Sequence, residues 1–135
     1  MNNAAFLGTG LLGAGMVERM LRQGDHVTVW NRTEAKARAL QTLGANVAPT
    51  LGDAVAGAER VHMALRDDAV VDEIVAQIAP RLREGAMVID HSTTAPAATA
   101  ARLKRSEESG IRLIHAPVFM TPRSEEHTSE LQSQR

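Results

Sequence analysis

The chain contains no cysteine, so disulfides and thiolate chemistry are excluded and the fold must rest on packing alone. An excess of charge of either sign is also lacking, because 15 basic residues are matched by 16 acidic ones. This balance excludes the basic surface that nucleic acid or an anionic membrane would need. No apolar run approaches the roughly 18 residues of a membrane span. We therefore expect a cytoplasmic protein with neither nucleic acid nor membrane as a partner.

The 135 residues, 44% of them hydrophobic, are enough for one globular domain with its own core. Strands are predicted at residues 4–7, 26–30, 46–48, 59–65, 86–90 and 111–115, and helices at about 12–21, 33–43, 51–56, 70–78 and 96–109. Gly24, Gly44 and Gly110 are expected to end three helices, and Pro80 to end or kink a fourth. This alternation favours a Rossmann-type α/β fold, a doubly wound parallel sheet with helices on both faces.

Three glycines form the pattern GxGxxG between the first predicted strand and helix. Gly8 is expected to permit the tight turn, Gly10 to let the backbone approach a pyrophosphate, and Gly13 to let the helix pack closely on the strand. The diphosphate would lie at the helix N-terminus, where unpaired N–H groups favour negative charge. A flexible loop is the alternative. The surrounding strand and helix pattern favours dinucleotide binding by Gly8, Thr9, Gly10, Leu11, Leu12 and Gly13.

The second predicted strand is followed by Asn31, Arg32 and Thr33 rather than by a carboxylate. An NAD-binding domain usually places an acidic residue there for the adenosine ribose. Arg32 instead offers a planar cationic fork suited to a 2′-phosphate, and its two neighbours can add hydrogen bonds. Alternatively, Arg32 is a solvated surface residue and Thr33 only the helix N-cap. The charge argument predicts NADP as the cofactor, with NAD as a possibility.

Several motifs carry a resemblance to a known family. GTGLLGAGM (residues 8–16) meets the pattern GxGxMGxxM with Leu12 in place of the usual methionine, and NRT follows the second strand. On these motifs the chain resembles the β-hydroxyacid dehydrogenase family, whose N-terminal domain is shared with 6-phosphogluconate dehydrogenase, over nearly all residues up to Pro122. ALRDD (residues 64–68) resembles the family loop that passes the cofactor ribose and nicotinamide. The resemblance implies a cofactor contact at Leu65.

Two later segments extend the resemblance. IDHSTTAP (residues 89–96) resembles the DxST motif, which implies that Ser92 contacts substrate and Thr94 the cofactor. N-capping of the helix that begins near Pro96 is the alternative role for these hydroxyl groups. HAPVFMTP (residues 115–122) resembles DAPVSGG, with His115 for the aspartate and Phe119, Met120 and Thr121 at the small positions that shape the substrate pocket. For His115 there are two alternatives: it is a catalytic acid or base, or it only packs or forms hydrogen bonds at the end of the strand.

The family's general acid/base is a lysine in a GxxGxxxKxxxN pattern on a long helix, and no segment here matches it. Lys36 and Lys104 are interpreted as solvated surface charges, so no catalytic residue is assigned, and no metal site is expected. The closing RSEEHTSELQS (residues 123–133) looks like the translation of a synthetic sequencing adapter, with a disordered polar tail as the alternative. We expect an incomplete nucleotide-binding domain over residues 1–122 and a non-native tail over residues 123–135.

The resemblance implies the NADP-binding domain of an NAD(P)-dependent oxidoreductase of the 3-hydroxyacid dehydrogenase type. The parent protein would act on a small molecule and form a homodimer or homotetramer through a helical domain that is missing here. The chain itself is expected to be inactive. An imine reductase with a different proton donor and a non-catalytic NADPH sensor are the alternatives.

Overall fold

The computed structural model describes residues 3–8 and 11–117, and for Leu11 and Leu12 it describes the backbone alone. Predictions about Thr9, Gly10, Phe119, Met120, Thr121, the side chains of Leu11 and Leu12, and the tail 123–135 lie outside the described residues. The strands are β1 (Asn3–Leu7), β2 (His26–Trp30), β3 (Asn46–Val47), β4 (Arg60–Met63), β5 (Met87–Asp90) and β6 (Arg112–His115). The helices are α1 (Leu11–Arg22), α2 (Glu34–Arg38), α3 (Leu51–Val55), α4 (Asp68–Ile78) and α5 (Pro96–Glu108).

The strands form one six-stranded sheet in the order β3-β2-β1-β4-β5-β6, and every pairing is parallel. From β1 the chain proceeds outward to β3, then returns through α3 to β4 and proceeds outward in the opposite direction. The order therefore reverses between β1 and β4, and the carboxyl ends of these strands flank the place where open α/β sheets bind ligands. The predicted Rossmann-type fold is confirmed.

An apolar cluster lies on each face of the sheet because successive strand residues point to opposite sides. Along β1, Ala5 and Leu7 belong to one cluster and Ala4 and Phe6 to the other. Helices α3 and α4 cover the first cluster, with the buried residues Leu51, Ala54, Val55, Val71, Ile74 and Ile78. Helix α1 covers the second with Val17 and Met20. The core thus fixes the strand ends that carry the candidate site.

Two predicted elements differ from the structure. The helix expected over residues 33–43 is the short α2 followed by a 3₁₀ turn at Gln41–Leu43, which ends at Gly44 with φ +110°. Within α2 only Ala37 is buried, so little apolar contact stabilises further α-helical turns. The fourth strand, expected over residues 59–65, ends at Met63, because the N–H of Leu65 leaves the ladder and donates to the Ser92 hydroxyl. The prediction for Pro80 is confirmed, since α4 ends at Ile78.

Candidate cofactor site

Gly8 makes the turn that follows β1. Its φ of +90° lies in the left-handed region that L side chains rarely adopt, and its N–H donates to the Trp30 carbonyl oxygen at 2.8 Å. A Cβ at this position would overlap the carbonyl oxygen of Ala64 and come within 3.0 Å of Leu65 Cδ2. Only glycine therefore lets the ends of β1, β2 and β4 approach one another this closely.

Gly13 brings α1 against β1. A Cβ at Gly13 would lie 2.7 Å from the Gly8 carbonyl oxygen and 3.1 Å from Phe6 Cε1, both closer than ordinary van der Waals contact. Because the first obstacle is backbone, the helix would have to move away from the turn to accept a side chain. Gly8 and Gly13 thus hold the first turn of α1 close to the β1 end, while Gly10 lies outside the described residues.

A cleft of about 410 Å³ opens at the carboxyl ends of β1, β2 and β4. Its lining contains five of the residues predicted to bind cofactor: Gly8, Asn31, Arg32, Thr33 and Leu65. The lining also includes six residues to which the sequence interpretation gave no contact: Trp30, Lys36, Ala64, Arg66, Val70 and Ile74. The cleft thus combines an apolar wall from α4 with polar groups that follow β2.

The charged side chains that line the cleft are cations, and one of them, Arg66, is paired with Asp67 outside the lining at 3.4 Å. Arg32, Lys36 and Arg66 line the cleft, and none of its described lining residues carries a carboxylate. Arg32 Nη2 lies 3.6 Å from Glu73 Oε1, but both side chains are more than half exposed, so this pair is weak. Lys36, interpreted from sequence as a surface charge, lies one helical turn beyond Thr33. Its place in the first turn of the helix that directly follows Arg32 and Thr33 is the signal that could have identified it.

The residues after β2 show how the N-cap alternative for Thr33 stands and what the Asn31 side chain contacts. Thr33 occupies the N-cap position of α2, but its side chain makes no capping hydrogen bond. Asn31 donates its side-chain amide to the Thr33 carbonyl oxygen at 2.9 Å. This bond shapes the turn that presents Arg32 and Thr33 to the cleft.

Ser92 is not among the residues that line the cleft. It is 3% exposed, and its hydroxyl oxygen accepts a hydrogen bond from the Leu65 N–H at 2.8 Å. Its own N–H donates to Asp90 Oδ1 at 2.9 Å. The hydroxyl keeps one proton to donate. The structure therefore places Ser92 as the contact between the loops that follow β4 and β5, and substrate binding by Ser92 stays a prediction.

Thr94 is also outside the lining of the cleft. Its hydroxyl contacts the Thr99 hydroxyl at 2.5 Å and lies 3.4 Å from His115 Nε2. That nitrogen donates to the Ser92 carbonyl oxygen at 3.1 Å, as a carbonyl can only accept. The N-cap of α5 is Ala95, without a side-chain bond, so the N-capping alternative for Ser92 and Thr94 is wrong.

Residues 3–124 match the family described as the NAD binding domain of 6-phosphogluconate dehydrogenase. The chain belongs to this family. As a member of the 6-phosphogluconate dehydrogenase domain family, it is an NAD(P)-binding domain. The match runs two residues past Pro122, where the predicted domain boundary stays a prediction.

Three relatives illustrate the range of the family. Cytokine-like nuclear factor N-PAC of Xenopus tropicalis is 31% identical over 116 residues, which cover 84% of this chain and 22% of the relative. Mycobacterium tuberculosis 3-hydroxyisobutyrate dehydrogenase with L-serine has a TM-score of 0.86 at 26% identity, covering 92% of this chain and 43% of its own. The reductive aminase from Aspergillus terreus in complex with NADPH and ethyl levulinate has a TM-score of 0.78 at 28% identity, with 92% and 43% covered. The chain spans less than half the length of each.

The cofactor of this family fits the residues present. Gly8 permits the tight turn after β1 and Gly13 the close packing of α1 on β1, as the first and third glycines of a dinucleotide-binding turn do. The N–H groups of the first turn of α1 have no intrahelical partner and suit an anion. No helix among the described residues is long and apolar enough to cross a membrane. Residues 3–8 and 11–117 also contain no cluster of three His, Asp or Glu side chains able to hold a metal ion.

Proposed function

We propose that this domain binds NADP in preference to NAD and serves an oxidoreductase of the 3-hydroxyacid dehydrogenase type. One observation carries the preference: Arg32 and Lys36 line the cleft beyond β2, and no carboxylate stands among its described lining residues. A ribose 2′-phosphate needs cations at this position, whereas a free 2′-hydroxyl is usually bound by an acidic residue.

Each group of residues has a separate task in this proposal. Gly8, Thr9, Gly10, Leu11, Leu12 and Gly13 hold the pyrophosphate by backbone N–H groups. Asn31, Arg32 and Thr33 bind the 2′-phosphate, with Lys36 as a further cation. Leu65 and Thr94 face the nicotinamide half and Ser92 the substrate. When bound, NADP supplies a hydride donor or acceptor for a small hydroxy acid. The proton donor belongs to the proposed second domain of the parent, which would also pair subunits into dimers or tetramers.

Arg32→Asp tests the cofactor preference. Loss of a charged hydrogen bond of about 1.5–3 kcal/mol predicts a fall in NADPH affinity of roughly 10- to 100-fold, with little change for NADH. Arg38→Asp is the matched control, because it makes the same charge change on α2 at an exposed residue outside the cleft lining. Isothermal titration calorimetry of the chain with both dinucleotides gives the two affinities. An unchanged NADPH to NADH ratio in Arg32→Asp contradicts the proposal for this residue, and binding of neither dinucleotide to the wild type contradicts the proposed function as a whole.

Two other functions have a specific observation in their favour. The similarity to a reductive aminase supports imine reduction, which uses the same cofactor domain. The similarity to N-PAC, named as a nuclear factor, supports a non-catalytic NADPH sensor. Assays of a longer protein, in which this domain is followed by the rest of the length found in its relatives, would distinguish the three functions. Oxidation of hydroxy acids supports the dehydrogenase, reduction of cyclic imines supports the imine reductase, and NADPH binding without turnover of either substrate supports the sensor. Cell fractionation would test the predicted cytoplasmic location.

A further inference from the structure

Arg102 is a charged side chain that the fold buries almost completely. It lies in α5 with 2% of its surface exposed. Its Nε donates to Asp72 Oδ1 and its Nη2 to Asp68 Oδ1, both at 2.6 Å. Within the described residues its Nη1 is buried without a hydrogen-bond acceptor. Burying a guanidinium is costly even when it is paired, so general stability is a weak reason for its presence.

Asp68 connects Arg102 to the loop that follows β5. One carboxylate oxygen, Oδ1, accepts from Arg102, and the other, Oδ2, accepts from the Ala95 N–H at 3.0 Å. The hydrogen bond from Arg102, followed by the one from Ala95, holds the pKa of the Asp68 carboxyl below its usual value. The carboxylate therefore stays ionised and bonded on both sides at neutral pH. Ala95 directly follows Thr94, so this contact fixes one end of the loop.

The other end of the same loop is fixed at Ser92, whose hydroxyl accepts the Leu65 N–H. The loop 92–95 is thus attached at one end to the segment between β4 and α4, through Leu65, and at the other to the first residue of α4, Asp68. That segment supplies Ala64, Leu65 and Arg66 to the lining of the cleft. Two hydrogen bonds therefore join the two loops, and the one at Ala95 depends on the orientation of the Asp68 carboxylate.

We propose that Arg102 is a positioning residue for the cofactor: through Asp68 and Ala95 it holds the paired loops after β4 and β5 in the arrangement that receives the nicotinamide half. This inference rests on the proposed function, since it concerns the same cleft. It predicts that replacing Arg102 weakens the binding of the nicotinamide half of the dinucleotide and leaves the binding of the adenosine half unchanged. A residue that merely joins α4 to α5 would affect both halves to the same degree.

Arg105 provides a matched control. Its Nη2 also donates to Asp72 Oδ1, at 3.0 Å, and its side chain is 60% exposed. Among the described residues its side chain donates no hydrogen bond to Asp68 or Ala95. Arg105→Leu therefore removes a cation and an ion pair from the same cluster and leaves the attachment of the loop in place.

The experiment compares the wild type with Arg102→Leu and Arg105→Leu by calorimetry with NADPH and with 2′,5′-ADP, which carries the 2′-phosphate but no nicotinamide. We expect Arg102→Leu to lower the affinity for NADPH roughly tenfold, as the loss of one charged hydrogen bond would. The affinity for 2′,5′-ADP should change less than about twofold. Arg105→Leu should change neither. Equal weakening of both ligands by Arg102→Leu, or no weakening of NADPH, overturns the inference, whereas failure of the wild type to bind either ligand overturns the proposed function first.

Amide hydrogen exchange gives a second readout that needs no ligand. In Arg102→Leu the Ala95 amide should exchange at least about tenfold faster than in Arg105→Leu, while amides of β1 and β4 keep their protection. If Arg102→Leu does not fold, Asp68→Asn replaces it, since one amide oxygen cannot accept from both Arg102 and Ala95 in the present geometry. Unchanged exchange at Ala95 in a folded variant contradicts the inference.

Discussion

Acidification from pH 6.5 to about 4 is expected to destabilise this fold through His62. His62 lies on β4 in a stack with Phe6 and His91, with ring centroids 5.8 Å and 5.3 Å from its own. His91 Nδ1 lies 3.0 Å from the Ala116 carbonyl oxygen, which can only accept, so this nitrogen carries the proton of a neutral ring. His91 Nε2 then accepts from His62 Nδ1 at 3.0 Å. His62 Nε2 is left unprotonated, buried and without a partner among the described residues.

The magnitude follows from the perturbed titration. Burial, then the neighbouring His91 and the charge of Arg60, lower the pKa of His62 from 6.5 to about 4, against a smaller opposing effect of Asp25. The unfolded chain thus binds more protons than the native one between these two values, and stability falls as the pH falls through this range. At about 1.36 kcal/mol per pKa unit, the loss is at most about 3 kcal/mol. Burial also lowers the pKa of His91, so its contribution has the same sign.

Urea unfolding of the wild type and His62→Gln between pH 4 and 7 measures this loss. Glutamine keeps an amide N–H for His91 Nε2 but does not titrate, so the variant should be less stable at pH 7 and show a flatter dependence on pH. Parallel curves for the wild type and His62→Gln would refute the reasoning, because the buried imidazole would then contribute nothing to the acid sensitivity.

The remaining predictions concern packing and the loop contacts. Gly13→Ala should lower NADPH affinity by at least about tenfold and stability by about 1–3 kcal/mol, because its Cβ meets the Gly8 carbonyl oxygen. Gly15 lies in the same helix with open space around it, so Gly15→Ala should instead raise the free energy of unfolding by about 0.5–1 kcal/mol. Urea unfolding measures both variants, and equal changes in their free energy of unfolding would contradict the steric argument. Ser92→Ala should cost about 1–3 kcal/mol by leaving the Leu65 N–H without its acceptor, whereas the exposed neighbour Thr93→Ala should be nearly neutral by the same assay.

The order of elements could be predicted because local patterns determine it. Residues 26–30 alternate in burial as their apolar pattern predicts, and residues 87–90 form a strand in which half-buried and buried residues alternate. Parallel pairing then follows from the helices between strands, and the right-handed crossover fixes the direction of each step. The ends of the strands and helices were predicted less accurately than their order. Leu65 leaves the strand pattern because of a hydroxyl group 27 residues away, which no local pattern contains.

The candidate site was predicted only in part, for a related reason. The glycines and Arg32 belong to a compact motif whose chemistry is visible in sequence. Arg102 gave no such signal, because a basic residue in a polar helix is usually solvated and its acidic partners are 30 and 34 residues away. Lys36 was assigned to the surface by the same rule, although the cleft extends along its helix.

Helix α4 connects these observations, because one side of it lines the cleft and another faces α5. Val70 and Ile74 face the cleft and form its apolar wall. Asp68 and Asp72, four residues apart, face α5 and accept the Arg102 guanidinium. Asp68 also accepts the Ala95 N–H, so the ion pair with Arg102 reaches the loop after β5 as well as the helix. Val70 and Ile74 are held separately, by their packing in the apolar cluster under the sheet. A loop that is ordered before binding avoids the entropic cost of ordering when the ligand binds, which is why a buried arginine outside the cleft can influence what the cleft binds.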